Sequence, residues 1–156
     1  MNLLLDDEAE SVAAQFFSGS RRVLLKKSIP DSVLSVEGTP HLLRRMIRNA
    51  LENAFSFAKS EVRVTLLEDP GQEARILVED DGAGFSQEAL ASYGERRVSR
   101  RVEGRRSDRV SLGLGSVIIQ SVARMHRGKA EPANRIVEDA IQGASVKIVL
   151  PLFSAE

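Results

Sequence analysis

Apolar positions along this chain follow two rhythms. Between Asp6 and Phe17, Val12, Ala13, Phe16 and Phe17 recur at helical spacing, which predicts a short helix. Arg22–Ile29 and Val33–Val36 read as strands parted by Pro30-Asp31. Thr39-Pro40 has the form of a helix start, a hydroxyl cap followed by a proline whose missing N–H costs nothing in the first turn. That helix is expected to run to about Lys59, with Leu43, Met46, Ile47, Ala50, Ala54, Phe57 and Ala58 along one broad face. Val62, Val64 and Leu66 then alternate within a strand over Glu61–Leu67. Asp69-Pro70-Gly71 turns the chain, and Ala74–Glu79 returns as the second strand of a hairpin. A short helix over Ser86–Ala91 and a longer one over Leu114–His126 follow, and strands over Lys129–Asn134 and Ser145–Leu150 close the chain. This order predicts an α+β two-layer sandwich, with one mixed, mainly antiparallel sheet and helices on one face.

The bulk numbers narrow the class. A chain of 156 residues suits one domain, 1–156, and at that length folding buries roughly 70% of the unfolded surface. The formal net charge is zero, which gives no general pull toward nucleic acid or an anionic membrane. There is no cysteine, so disulfides, thiol nucleophiles and thiolate metal sites are excluded. No apolar run reaches the ~20 residues of a membrane span, and the expectation is a cytoplasmic domain without membrane contact of its own. Charge is nevertheless uneven. Residues 6–10 are mostly acidic, and Arg96, Arg97, Arg100, Arg101, Arg105, Arg106 and Arg109 crowd one stretch punctuated by Ser99, Gly104, Ser107 and Asp108, which reads as a loop.

Three motifs carry candidate chemistry. Asn49 and Asn53 are four apart and stack on one side of a helix, at the border of its apolar face. Their carbonyl oxygens suit Mg²⁺ and their NH₂ groups suit phosphate, although two asparagines on a solvated helix face are also an ordinary surface feature. Val78-Glu79-Asp80-Asp81-Gly82-Ala83-Gly84-Phe85 ends a strand in acids and alternates two glycines. The glycines permit a sharp turn and close approach, and a strand-end carboxylate can accept from an exocyclic amine. An acidic turn is the plainer alternative; a calcium loop fails on spacing. Leu112-Gly113-Leu114-Gly115-Ser116-Val117-Ile118 opens a helix with a glycine pair, where free N–H groups attract anions. It lacks the context of a dinucleotide fingerprint, and the chain has no Gly-Lys-Ser/Thr phosphate loop.

In order and spacing, the three together resemble the GHKL ATPase superfamily with its Bergerat fold and, within it, the ATP-binding catalytic domain of sensor histidine kinases. Val36-Glu37-Gly38-Thr39-Pro40-His41-Leu42-Leu43-Arg44-Arg45 is similar to the approach to the family's N box, and Arg48-Asn49-Ala50-Leu51-Glu52-Asn53-Ala54 to the N box itself. Asp80 to Gly84 matches the D-x-G-x-G of the G1 box, and Gly113-Leu114-Gly115 the core of the G2 box. His126-Arg127-Gly128 followed by Asn134, then Gly143 to Pro151, resembles the closing segment of histidine kinases.

The resemblance implies ATP and Mg²⁺ as cofactors. It makes Asn53 the Mg²⁺ ligand, with Asn49 beside the phosphates and the two asparagines as the catalytic pair. It has Asp80 reading the adenine amine while Gly82 and Gly84 pass the base. Ser111, Leu112, Gly113, Leu114 and Gly115 line the phosphates, Ser56 and Phe57 complete the nucleotide site, and a lid covers it over about 86–112. In gyrase-like relatives a glutamate stands where this chain has Asn49. Asparagine is no general base, so poor hydrolysis is expected and the γ-phosphate is saved for an acceptor. The implied enzyme is a protein histidine kinase of two-component signalling. Its partners would be a histidine-bearing dimerisation domain of the parent kinase and a response regulator.

The chain also departs from the family pattern. Ser56 and Phe57 replace a basic residue and a tyrosine, Ser111 and Ser116 replace a glycine and a leucine, and Tyr93 is the lone aromatic of the lid. Neither His41 nor His126 lies in a phosphoacceptor motif. His126 reads as a structural residue at a helix C-terminus. A stand-alone serine kinase of the anti-sigma type, a non-catalytic adapter of the same fold, and nucleic-acid binding through the arginine loop stay open as alternatives. The last is the poorest, since no aromatics interleave the arginines.

The arginine run offers little apolar area against roughly 1–2 kcal/mol of backbone entropy per residue, so Ser92–Val110 is expected to be poorly ordered without nucleotide. Triphosphate would supply the missing counter-charge. Amide exchange in this stretch should slow on adding ATP and Mg²⁺, and slow less with ADP; protection already present in the free protein would make it a fixed element.

Overall fold

The computed structural model describes residues 1–17, 22–95 and 114–153. The chain runs α1 (Asn2–Phe17), β1 (Leu24–Ser28), α2 (Pro40–Phe57), β2 (Glu61–Asp69), β3 (Glu73–Asp80), α3 (Gln87–Ala91), α4 (Leu114–Met125), β4 (Lys129–Val137) and β5 (Ala140–Pro151). The five strands form one sheet in the order β1-β2-β3-β5-β4, with β1 parallel to β2 and all other pairs antiparallel. This is the mixed, mainly antiparallel sheet expected from the sequence.

Alternation places the core. Val62, Val64 and Leu66 of β2, Ala74, Ile76 and Val78 of β3, and Val146, Ile148 and Leu150 of β5 are buried in one cluster with the helices. From α2 come Leu43, Met46, Ile47, Ala50, Leu51 and Ala54; from α1 Leu5, Ala9 and Val12; from α4 Ile119, Val122 and Ala123. The other face of the sheet carries ion pairs such as Lys26–Glu61, Arg75–Asp69 and Lys129–Glu131, which face solvent and add little stability each.

Several boundaries differ from the sequence expectation, each for a tertiary reason. Helix α1 begins at Asn2, not Asp6. The Asn2 amide donates to the Pro30 and Ser32 carbonyls and accepts from Leu34 N–H, and the Met1 amine donates to the Leu34 carbonyl. Those bonds, with Phe153 N–H donating to the Ser35 carbonyl, use backbone groups of Val33–Val36, which is therefore an irregular connection and not a strand. Helix α2 stops at Phe57 and keeps the expected apolar stripe except at its last turn. Phe55 is fully buried, 5.4 Å ring to ring from Phe16, while Phe57, expected on the apolar face, is 61% exposed. Strands β4 and β5 extend beyond Asn134 and Ser145 because Glu138 and Asp139 both take positive φ (50° and 62°), the geometry of a two-residue hairpin turn.

The start of α2 is also not capped as expected. The Thr39 side chain makes no cap bond. Its backbone N–H donates to His126 Nε2 at 3.1 Å, while Nδ1 of that ring lies 2.7 Å from the Val122 carbonyl. His126 is thus a buried joint between the end of α4 and the start of α2, with Gly38 so close to Cδ2 and Nε2 of the ring that any side chain there would collide with it. The arginine run and Ser111, Leu112 and Gly113 lie outside the described residues, as do all but the first four residues of Ser92–Val110, the segment expected to be poorly ordered. Among the described residues no helix is long and apolar enough to cross a membrane.

Glu8 of α1 is the buried charge that ties α1 to α2. Its side chain is 3% exposed, and it accepts from Arg44 Nη1 at 2.7 Å and Arg48 Nη1 at 3.1 Å. The two arginines are partly hydrated, so the pair is asymmetric. Removing both, as in Arg44→Ala/Arg48→Ala, strands a buried carboxylate and should cost about 3 kcal/mol in urea unfolding. Glu8→Ala should cost less, because the freed guanidinium groups already reach water; equal losses would show that burial of Glu8 is not what matters.

Candidate functional site

The site is built where the C-terminal half of α2 meets the turn after β3 and the first turn of α4. Asn49 and Asn53 are half-buried on α2. The Asn49 NH₂ is turned back to the Arg45 carbonyl at 2.7 Å, one helical turn earlier. Opposite them stands Gly115. A Cβ at that position would lie 3.2 Å from Asn53 Nδ2 and 3.4 Å from Asn49 Oδ1. The start of α4, whose first N–H groups have no partner within the helix, therefore opens directly onto both amides. Leu114, beside it, is largely exposed.

The second half of the site is the loop from Asp80 to Phe85. Asp80 ends β3 with its carboxyl buried. Oδ1 accepts from Gly82 N–H at 2.8 Å, and the Ala144 backbone N–H also donates to the carboxyl. Burial raises its pKa above the usual carboxylate range, against the pull of those two amides. Gly82 packs on the Phe57 carbonyl so closely that a side chain would overlap it. Gly84 sits at φ +81°, and a Cβ there would lie 2.6 Å from the Ile141 side chain.

Asp81 does something different from its neighbour. Oδ1 accepts from the backbone N–H groups of Lys59 (2.7 Å), Ser60 (3.0 Å) and Glu61 (3.1 Å), and Oδ2 from the Ser60 hydroxyl (2.5 Å). Burial alone would raise its pKa, but these hydrogen bonds hold it well below the usual carboxylate range. It satisfies the amides left free between α2 and β2. The sequence singles out Asp80 and gives Asp81 no role; alternation along β3 decides that Asp80 turns inward while Asp81 reaches back.

Not every expected site residue converges. Ser56 and Phe57 lie exposed at the end of α2, and what touches the loop is the Phe57 carbonyl, not its ring. Ser111, Leu112 and Gly113 fall outside the described residues. The first part of the expected lid, Ser86–Glu95, is a capped helical turn: Ser86 Oγ accepts from Ala89 N–H at 3.1 Å, and Ser92 and Glu95 continue the bonding. Tyr93 packs edge-on to Phe85 at 6.0 Å, and burial pushes its hydroxyl pKa up. Asn134 and Arg135 on β4 also bond this loop, through Phe85 and Asp80, and nothing in the hydrophobic pattern distinguished them. Among the described residues no three His, Cys, Asp or Glu side chains converge as a metal cluster.

Residues 38–154 match the family described as histidine kinase-, DNA gyrase B- and HSP90-like ATPase. The chain belongs to this family. Its relatives are sensor kinases. It is 32% identical to the sensor histidine kinase component HK1 of Mycobacterium tuberculosis, over 91% of this chain and 77% of that protein. It is 37% identical to sensor protein QseC of Escherichia coli K12, over 83% of this chain but 28% of QseC. Sensor protein BasS of Salmonella typhimurium matches at 30% identity over 72% of this chain and 30% of BasS. The chain thus spans under a third of BasS and QseC. Among solved structures, that of the mycobacterial sensor histidine kinase MprB superposes with a TM-score of 0.79 at 22% identity, covering 96% of this chain and 93% of the solved chain. Full-length ShkA in complex with AMPPNP gives 0.77 at 21% identity, covering 99% of this chain and 30% of ShkA. The fold is that of histidine kinase catalytic domains, and the family is the one its motifs resemble.

The two aspartates should respond oppositely to pH. Asp81 has a depressed folded pKa, so its stabilisation is present above the unfolded value and lost as pH falls through the acid range. Asp80 has a raised one, so its contribution is greatest below the unfolded value and lost as pH rises through the folded one. Asp81→Asn should therefore cost about 2 kcal/mol at neutral pH, and that gap should close on acidification in pH-dependent denaturant melts. A gap independent of pH would mean the Asp81 charge is not what holds the turn.

Proposed function

We propose that this domain binds ATP with Mg²⁺ and passes the γ-phosphate to a histidine on a separate dimerisation domain, from which a response regulator is charged. Residues 1–156 act in this reading as one catalytic unit. The observation that carries it is the meeting of Asn49 and Asn53 with Gly115 at the start of α4, together with a buried carboxylate at the end of β3. Amide oxygens at a helix N-terminus suit a cation shared with phosphates, since Mg²⁺ takes few protein ligands and keeps phosphate and water oxygens. A cation held by Asn53 would supply neutralisation of the charge on the phosphates.

The chain's own residues then divide the work. Asn53 offers Oδ1 to the cation. Asn49 orients the phosphates without activating water, because an amide cannot accept the proton. Backbone N–H groups at Gly113, Leu114 and Gly115 receive phosphate oxygens, with Ser111 and Leu112 beside them, and Ser56 and Phe57 border the nucleotide. Asp80 accepts from the adenine amine, while Gly82 and Gly84 leave room for the base. His126 is a poor acceptor for the phosphoryl group, being buried with both ring nitrogens engaged.

The reading predicts that ADP and ATP bind at least roughly tenfold more tightly than GDP and GTP, because Asp80 meets a carbonyl in guanine. Calorimetry on the chain with and without Mg²⁺ checks this, and equal affinities would end the assignment. Asn53→Ala and Asp80→Ala should each abolish phosphorylation of a supplied histidine-hairpin domain while circular dichroism stays unchanged. Transfer retained in both variants would refute the site. Nucleotide binding without transfer would favour a non-catalytic adapter.

A further inference from the structure

We infer that Asn134 and Arg135 of β4 are positioning residues that pin both ends of the Asp80–Phe85 loop and so set the preference for adenine, an inference that rests on the ATP-binding reading above. Neighbouring residues of a strand point to opposite faces. Here that alternation is kept on β4, because the irregularity falls on β5. Asn134 pairs with Ala144 and Ile136 with Ile141, so Arg135 alone faces both Gln142 and Gly143.

Asn134 points toward the helices and bonds one residue through both its polar atoms. Its Oδ1 accepts from Phe85 N–H at 2.6 Å, and its Nδ2 donates to the Phe85 carbonyl at 2.9 Å. The side-chain amide thus behaves as an extra rung of sheet at the loop's far end. Arg135 works on the near end. Strand β5 lies between β4 and β3, so the guanidinium must cross β5 to reach its partners. Nη1 donates to the Asp80 carbonyl at 3.0 Å, and Nε pairs with the Glu79 carboxylate at 3.2 Å. Gly143 lies opposite Arg135 with φ +131°, and a side chain there would overlap the Asp80 carbonyl oxygen.

Between the two pinned ends lie two glycines, and chains with glycine lose the most conformational freedom on ordering. The Asp80 carboxyl can hold one direction only if that freedom is already removed before ligand arrives. The bonds from Gly82 and Ala144 orient the carboxyl locally, and the β4 pair fixes the backbone on which it stands.

The test uses the full chain with Asn134→Ala, Arg135→Ala and Arg135→Lys, and Asp80→Asn as control. Three quantities are read: calorimetric affinities for ADP and GDP, the thermal melt, and exchange of the Phe85 amide without nucleotide. Asn134→Ala and Arg135→Ala should each reduce the ADP-over-GDP ratio roughly tenfold while melting stays cooperative. Arg135→Lys should recover part of it, since an ammonium keeps a donor but loses the fork. Phe85 exchange should quicken in Asn134→Ala before any nucleotide is added. An unchanged ratio in these variants, with the control losing its preference, would overturn the inference and leave the ATP reading standing. Equal weakening for both nucleotides would also overturn it, because general loosening does not choose between bases. Absence of any adenine preference in the unaltered chain, with the control indifferent, would remove the reading and this inference together.

Discussion

One carboxylate holds the two halves of the site in register. Asp81 collects the free amides between α2 and β2 and thereby locks the end of α2 to the turn that follows β3. Gly82 completes the lock by lying directly on the Phe57 carbonyl. Because Asn49 and Asn53 ride on α2 and Asp80 stands one residue before Asp81, any shift of this joint would move the amides relative to the buried acid. A charge receiving several backbone N–H bonds is among the stronger local contacts a protein can make, which suits a joint that must not drift.

The far end of α2 is held by a contact of another kind. His126 takes the Thr39 N–H into its ring and gives its own N–H to Val122, so α4 and α2 meet at a buried imidazole. Helix α4 is thereby fixed at its C-terminus as well as at Gly115, where its first turn lies against the asparagines. Glu8 adds a third tie, from α1 to Arg44 and Arg48 just before Asn49. The helix that bears the proposed cation ligand is therefore restrained along its whole length, and the sheet below it supplies apolar area and not chemistry.

The glycines have unlike roles in this frame. Gly115 and Gly82 allow close approach, of a helix start to two amides and of a loop to a carbonyl. Gly84 and Gly143 supply positive φ in addition to close approach, one turning the Asp80–Phe85 loop and the other letting β5 bulge against it. A motif written as alternating glycines thus mixes steric and conformational requirements that only the neighbours separate.

Periodicity in the sequence was enough to determine the α2 stripe, the β2–β3 hairpin and the sandwich class, since burial repeats every second residue in a strand and every third or fourth in a helix. The spacing of Asn49, Asn53, Asp80 and the glycine pairs was enough to determine the family, because those residue types are set by local chemistry. The tertiary structure alone decided which acid of the Asp80–Asp81 pair is buried, that Val33–Val36 gives its backbone to Asn2 and the chain terminus, that Phe55 and not Phe57 fills the core, and that Asn134 and Arg135 reach the loop. Each of these is a contact between segments distant in sequence. A polar side chain carries no periodic signal of its partner, so its role exists only once the strands and helices are in place.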